Sequence, residues 1–329
     1  MTVLVTGGAG YVGAHMLLAL EAAGETAVAI DDLSSGAVWL APSPGRLFVG
    51  DVGDRGFVSR IIDEYGVTEI VHFASATLVP ESIEKPLDYY RRNAASALAL
   101  FETCVAKGVD RIILSSTASV YGKPDASPVS ESAPVRSISP FGASMAMAER
   151  MLTDAAAAHG LNYVILRYFN VAGADPALRA GQIGKATHLV RVAAQIAVGA
   201  RDEELRVFGT DYQTPDGTAI RDYVHVCDLA DAHLAALMLL RAGEPSAILN
   251  CGYGRGYSVR EVVAAVERVT GAALPTVDAP RRAGDPPQLI ADSAAIRSRL
   301  DWRPRFDEID IIVSGAIDWE RRLHVAGAT

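Results

Sequence analysis

Thr2-Val3-Leu4-Val5-Thr6-Gly7-Gly8-Ala9-Gly10-Tyr11-Val12-Gly13 is the stretch that decides the fold. It reads as a short apolar strand, Thr2–Thr6, running into a glycine turn. Residues 11–23 follow with helical spacing and stop at Gly24. The turn contains GxGxxG (Gly8, Gly10, Gly13) and also GxxGxxG (Gly7, Gly10, Gly13). Glycines alone mark an ordinary strand–helix turn. Here a second apolar strand, residues 27–30, closes on Asp31-Asp32, eighteen residues past Gly13. That is the context of a dinucleotide site. Glycines let the backbone approach a pyrophosphate at a helix N-terminus, where N–H groups are unpaired. Asp31 is placed to accept hydrogen bonds from adenosine ribose hydroxyls. No arginine occurs in residues 32–36 to receive a 2′-phosphate, so NAD is favoured over NADP.

The same alternation continues outward from this stretch. Arg55–Tyr65 is amphipathic and stops at Gly66, and residues 69–73 read as a buried strand. Residues 87–107 read as one long helix, 111–115 as a strand, 143–159 as an alanine-rich helix and 162–167 as a further strand. Apolar strands alternating with helices predict an α/β fold, a Rossmann-like doubly wound parallel sheet covered on both faces. Asp51-Val52 closes what reads as a third strand; Asp51 either touches an adenine amino group or begins a turn. After residue 170 the regularity fades. Residues 172–184 and 275–287 read as loops, with helices near 188–198, 226–240 and 259–270 and a strand near Leu205–Phe208. This predicts a sheet domain over 1–170, with a later return near 215–245, and a smaller C-terminal α+β substrate lobe over 171–329.

Composition bounds the rest. Half of the 329 residues are apolar and 21% are charged, which excludes a disordered chain. The net charge of −9 argues against nucleic acid or anionic membrane as a partner. No apolar run has the length of a membrane span and no basic signal start precedes the first strand, so a cytoplasmic location is expected. Only Lys85, Lys107, Lys123 and Lys185 are lysines. Cys104, Cys227 and Cys251 fit no metal or CxxC spacing and read as buried free thiols.

Further motifs follow the glycine loop in order: Val71-His72-Phe73-Ala74, Ser115-Ser116-Thr117-Ala118-Ser119-Val120-Tyr121-Gly122, Arg167-Tyr168-Phe169-Asn170, Asp216-Gly217-Thr218-Ala219-Ile220-Arg221-Asp222-Tyr223-Val224-His225-Val226 and Arg282-Ala283-Gly284-Asp285. With them the chain resembles the UDP-galactose (UDP-glucose) 4-epimerases of the extended short-chain dehydrogenase/reductase family, from residue 2 to about 320. The resemblance implies transient oxidation at C4 of a UDP-hexose by tightly held NAD, rotation of the 4-keto sugar, and return of hydride to its other face. It places Gly7, Gly10, Tyr11, Val12, Asp31, Asp32, Leu33, Asp51, Val52, Phe73, Ala74, Asn93, Ser115 and Tyr168 at cofactor positions. It places Asn170, Arg221, Tyr223, Arg282 and Asp285 at UDP-sugar positions. Arginine forks suit a diphosphate. Outside this context Asn93 would be an ordinary polar position, Arg221-Asp222 a local surface ion pair, and Arg282 one of a solvated pair with Arg281.

One departure stands out. The family carries Tyr-x-x-x-Lys about twenty-five residues after the Ser-Ser-Thr strand, with tyrosine as base and lysine lowering its pKa and holding the nicotinamide ribose. This chain reads Phe141-Gly142-Ala143-Ser144-Met145 there. The catalytic positions are therefore Thr117, which matches the remaining hydroxyl, and the altered Phe141 and Met145. Tyr121 and Lys123 have the wrong spacing to replace them. Phe and Met are the closest shapes lacking the reactive groups, the pattern of an engineered catalytic mutant; the alternative is a natural non-catalytic homologue that senses NAD and a nucleotide sugar. Ala118-Ser119 after Thr117 lacks the acids of the dehydratase and decarboxylase branches. UDP-glucuronate and UDP-N-acetylhexosamines stay open as substrates, the latter because Leu289 stands where a bulky aromatic would exclude an N-acetyl group. The family also implies a homodimer joined through the helices at 87–107 and 143–159.

Overall fold

The computed structural model describes residues 1–42, 46–282, 284–325 and 327. Ala283, inside the motif at 282–285, lies outside the described residues. In chain order the strands are β1 (Thr2–Thr6), β2 (Thr26–Asp31), β3 (Leu47–Val49), β4 (Val67–His72), β5 (Arg111–Thr117), β6 (Asn162–Tyr168), β7 (Asn170–Ala172), β8 (Leu205–Phe208), β9 (Ile220–His225), β10 (Ala247–Cys251), β11 (Gly256–Ser258), β12 (Thr276–Ala279) and β13 (Gln288–Leu289). Seven of them form one parallel sheet in the order β10-β6-β5-β4-β1-β2-β3. The chain winds outward in both directions from β1, so a crevice opens at the carboxyl ends of β1 and β4.

The apolar runs explain the burial of both faces. Successive side chains of a strand point to opposite sides. Val3, Val5, Val71, Ile113, Val164 and Leu166 face one core cluster, which includes Met16 and Leu20 of the helix Tyr11–Ala22 and Leu229 and Leu237 of the helix Val226–Arg241. Leu4, Ile70, Ile112, Leu114 and Ile165 face the other, against Ile61, Leu100 and Leu152. Apart from β10, the strands that follow β6 build two smaller sheets: one of four strands in which β9 pairs with β7, β11 and β13, and one of two strands in which β12 pairs with β8. Among the described residues no helix is long and apolar enough to cross a membrane.

Several expectations need correction. Residues 87–107 are not one regular helix. Helical turns at Pro86–Tyr89 and Ser96–Lys107 flank a π-helical turn, Tyr90–Ala95, which carries Asn93 inward. Residues 275–287 are not all loop, because Thr276–Ala279 pairs with β8; Thr276, Val277 and Asp278 are exposed, so no apolar alternation marks that strand. The third strand ends at Val49, before Asp51-Val52. The chain returns to the main sheet with a strand, β10, as well as with the helix Val226–Arg241 that packs on Tyr11–Ala22. Cys104 and Cys251 are buried free thiols, but Cys227 is only half-buried.

Candidate active site

The glycine loop sits at the switch point because β1 ends there. Gly7 has φ 70°, left-handed backbone that favours glycine, and a Cβ on it would lie 2.8 Å from the Ala74 nitrogen. A Cβ on Gly13 would collide with the Gly7 carbonyl. The cradle is therefore one that only glycine backbone can form, at the N-terminus of Tyr11–Ala22, where Gly10 is the cap and no side chain takes the free N–H groups. This is the shape a pyrophosphate needs. Val12 lies in the first turn of that helix, and the Tyr11 hydroxyl donates to the Gly173 carbonyl at 2.7 Å, tying the helix to the end of β7.

Asp31 is buried at the end of β2 and holds the loop together. Its carboxylate accepts from the Ala9 nitrogen at 2.9 Å and from the Leu33 nitrogen at 2.8 Å. Burial raises its pKa against these hydrogen bonds. Asp32 accepts from Ser34 nitrogen at 2.9 Å. Asp51 begins a turn: it accepts from Gly53 nitrogen at 2.7 Å, leading to Asp54, which caps the helix Arg55–Tyr65 by accepting from Phe57 nitrogen at 3.0 Å, with Val52 buried.

Phe73 and Ala74 follow β4. Phe73 packs on His233 with ring centroids 4.8 Å apart, and Ala74 nitrogen donates to Thr6 Oγ1 at 3.3 Å. Asn93 is far from an ordinary surface position. Its side chain accepts from Ala76 nitrogen at 2.7 Å, donates back to Ala76 carbonyl at 2.9 Å and reaches Ser144 Oγ at 3.0 Å. It clamps the loop after β4 to the helix Pro140–His159. Tyr168 ends β6 beside Ser115, and its hydroxyl bonds His233 Nε2. Because His233 Nδ1 donates to the Leu229 carbonyl at 2.7 Å, Nε2 is the acceptor and Tyr168 the donor. Burial pushes the Tyr168 phenol well up and the His233 imidazole down to about 4.

Thr117 ends β5. Its Oγ1 accepts from Ser119 nitrogen at 3.1 Å, which leaves its proton free to donate. The helix Pro140–His159 begins against this segment: Ser139 caps it by accepting from Gly142 nitrogen at 3.2 Å, and Gly142 presses on the Ser119 carbonyl. Phe141 and Met145, one turn apart on that helix, are both buried. They join Ala76, Tyr89, Ala118, Val120, Phe169 and Ala291 in an apolar cluster, with Leu289 against it. Among the described residues both phenols of this cluster, Tyr89 and Tyr121, have their hydroxyls engaged elsewhere. The Tyr89 ring lies edge-on to Phe141, but its hydroxyl donates to Glu81 at 3.0 Å and accepts from Leu78 nitrogen at 3.0 Å. Tyr121 donates to Asn250 at 2.7 Å and accepts from Arg167 at 2.9 Å. All four lysines are exposed.

Under this cluster a buried ion pair fixes three elements. Glu149 accepts from Arg167 at 3.0 and 2.7 Å and from Ser116 Oγ at 2.5 Å. It links the helix of Phe141 to the strand residues next to Thr117 and Tyr168, and sequence reasoning missed it.

The residues expected at the sugar-nucleotide end gather on and around β9. Asn170 of β7 pairs in register with Tyr223, and Leu289 of β13 with Arg221. Arg221 reaches Asp285 at 3.6 Å. Asp222, its neighbour, is fully buried and accepts from the Tyr253, Gly254 and Ala291 nitrogens at 2.9, 2.8 and 3.2 Å, so Arg221-Asp222 is not a surface ion pair. Arg281 and Arg282 are both exposed, but each has its own partner. Arg281 bonds Asp211 at 2.7 Å, and the Arg282 guanidinium lies 4.0 Å from the Phe208 ring centroid. Phe208 and Tyr212 were not singled out from the sequence. Tyr212 is buried, carries Arg281 over its ring, and its hydroxyl has no hydrogen-bond partner among the described residues.

This arrangement, a glycine cradle at the switch point of a parallel sheet with Arg221 and Asp285 brought together beside β9 and β13, defines the class. Residues 3–252 match the NAD dependent epimerase/dehydratase family. A UDP-glucose 4-epimerase of Azospirillum brasilense is 55% identical over 322 residues, covering 98% of this chain and 92% of that protein. Crystal structures of UDP-glucose 4-epimerase from Brucella ovis in complex with NAD and from Bifidobacterium longum in complex with NAD+ and UDP superpose with TM-scores of 0.92 and 0.91. They are 38% and 34% identical, covering 97% and 98% of this chain and 98% of each of theirs. The chain belongs to the NAD dependent epimerase/dehydratase family, and within it to the UDP-glucose 4-epimerases of the extended short-chain dehydrogenase/reductase type.

Proposed function

We propose that this chain binds NAD and a UDP-hexose as its relatives do, and that Phe141 and Met145 leave it with very slow 4-epimerisation. The observation that carries this reading is the burial of both residues in one apolar cluster beside Thr117, with every nearby phenol engaged and every lysine exposed. The cradle at Gly7, Gly10 and Gly13 and the Asp31 carboxylate fit a dinucleotide. NAD bound there supplies a hydride acceptor and donor for C4.

The chain's own residues divide the remaining work. Arg221 and Arg282 present guanidinium groups to a diphosphate, and Asp285 faces a ribose. Tyr223 and Asn170 wall the same strand pair. Thr117 donates a hydrogen bond to the sugar 4-oxygen. It is too weak a base at neutral pH to remove that proton, and Phe141 has no oxygen to receive it. Leu289, smaller than an aromatic, leaves room for an N-acetyl group. The replacements are the nearest apolar shapes to tyrosine and lysine, as deliberate inactivation would leave them.

A homodimer fits the surface. Leu87, Leu98 and Met147 are 74%, 44% and 49% exposed on the helical segments that the family resemblance assigns to an intersubunit bundle. Sedimentation at micromolar concentration is expected to show a dimer that Met147→Asp dissociates; a monomeric parent chain would reject it.

Mass spectrometry of ligands released from the purified protein tests the binding reading, followed by calorimetry with UDP-galactose. NAD release and UDP-sugar binding are expected. Absence of both would overturn it. A second reading, a non-catalytic member of the family that senses NAD and a nucleotide sugar, is favoured only if restoring Tyr and Lys yields no turnover.

A further inference from the structure

The segment after β2 crosses the glycine loop and is fastened on its far side by a residue that no part of the reaction uses. The backbone turns at Leu33, a non-glycine residue with φ 58°, held by the Leu33 nitrogen donating to Asp31. Arg92 donates to Ser34 Oγ at 2.8 Å and steadies one edge. Gly36 then passes so close to Ala9 that a Cβ would lie 2.7 Å from the Ala9 carbonyl, and Ala37 nitrogen donates to that carbonyl at 3.0 Å. Residues 33–37 thus lie across the loop that cradles a pyrophosphate.

The strap ends in a single turn, Val38–Leu40. Leu40 is buried among Ala14, Leu18, Ala180, Trp319 and Leu323. Trp39 is 51% exposed, yet its ring stacks on Trp319 of the C-terminal helix Ile309–Val325, with centroids 6.1 Å apart and planes at 23°. Trp319 is itself immobilised. Its indole N–H donates to the Gln182 carbonyl at 2.8 Å and Gly181 abuts the ring. One ring is fixed in the body of the protein; the other is carried by the strap and faces water.

We propose that the Trp39–Trp319 stack is the latch of a strap over the adenosine–phosphate end of NAD, and that cofactor leaves only when the latch opens. Trp39 is then a positioning residue for the cofactor. The proposal rests on NAD occupying the glycine cradle. Since Trp39 is half exposed, removing it leaves the core intact. The loss should appear in release: where dissociation requires the strap to lift, the whole contribution of the stack enters the off-rate, whereas affinity falls by no more than that.

The test loads the chain with NADH, chases with excess NAD+, and follows the decay of NADH fluorescence in the parent, Trp39→Ala and Trp39→Phe proteins. Release is expected to be about two- to tenfold faster in Trp39→Ala, the range one aromatic pair supplies. Trp39→Phe should return close to the parent rate, and UDP affinity by calorimetry should be equal in all three. Equal release from the parent and Trp39→Ala would overturn the latch. So would faster release accompanied by an equal loss of UDP affinity, which would mean general loosening. Failure of the parent to load NADH, in protein shown by mass spectrometry to carry no NAD, would overturn the cofactor reading beneath it.

Discussion

Arg221 and Asp222 are adjacent in sequence and have opposite fates. On a strand, neighbours point to opposite faces. Arg221 turns to the cleft and meets Asp285, while Asp222 turns inward and gathers three backbone N–H groups. A sequence reading sees two opposite charges side by side and pairs them; only the register of β9 separates them. The same limit hid Phe208 and Tyr212, apolar letters in an unremarkable run until Arg282 and Arg281 are seen over their rings. Arg221→Ala is expected to weaken UDP binding about 10- to 100-fold, since a hydrogen bond to a charged group contributes roughly 1.5–3 kcal/mol. The unfolding midpoint should scarcely move. Calorimetry with UDP checks this, and unchanged affinity would remove Arg221 from the site.

The helix Pro140–His159 carries Phe141 and Met145 in its first turns and Glu149 one turn further on, so one element holds both the pair proposed to limit catalysis and the ion pair beneath it. Glu149 and Arg167 are nearly inaccessible to solvent, with side chains 6% and 4% exposed. Removing one charge of such a pair leaves the other buried and unpaired, which costs about 3–5 kcal/mol. Glu149→Gln should therefore lower stability by roughly that amount in urea unfolding; a change below about 1 kcal/mol would show that the pair relaxes into solvent. Elements of this kind differ in how legible they are. β1, β2, β4, β5 and β6 could be read because each is a short apolar run between turn residues with its central positions buried on both faces, whereas β3 is three residues long and partly exposed, and it ends before the residues expected to close it. The carboxyl-end positions of Asp31, Phe73, Ser115 and Tyr168 came with them, through motifs at strand ends. β10 is equally apolar but follows an exposed loop and pairs with β6 across eighty residues, a long-range choice that local pattern does not encode. The two-residue β13 has no periodicity to detect. The C-terminal helix is different: Ile309, Ile312, Val313, Ala316 and Ile317 recur at helical spacing, and the signal was there to be used.

At the scale of the molecule, buried ionisable groups set the acid limit of stability. Burial lowers the pKa of His15, His72 and His233 to about 4 and of His225 to about 3. Each is depressed below its unfolded value near 6.5, so its contribution is present above that pH and is lost as pH falls through about 4. Asp222, raised by burial to about 6, acts in reverse: its contribution is present below the unfolded value and is lost as pH rises through 6. Four histidines with larger shifts outweigh it. The urea midpoint should fall steadily from pH 7 to pH 4, and a flat or rising profile would contradict the burial of these rings.

The central claim is that recognition survives in this chain while proton transfer does not. It is tested most directly by the turnover of UDP-galactose to UDP-glucose in the unaltered chain and in its Phe141→Tyr, Met145→Lys form. A positioned acid–base group is worth about 10²–10⁴ in rate, and the two residues act as one unit, so their effects should not multiply. The account predicts that the double reversion turns over faster by about two to four orders of magnitude, with UDP affinity little changed. Comparable turnover in the two proteins would place the chemistry elsewhere and contradict it.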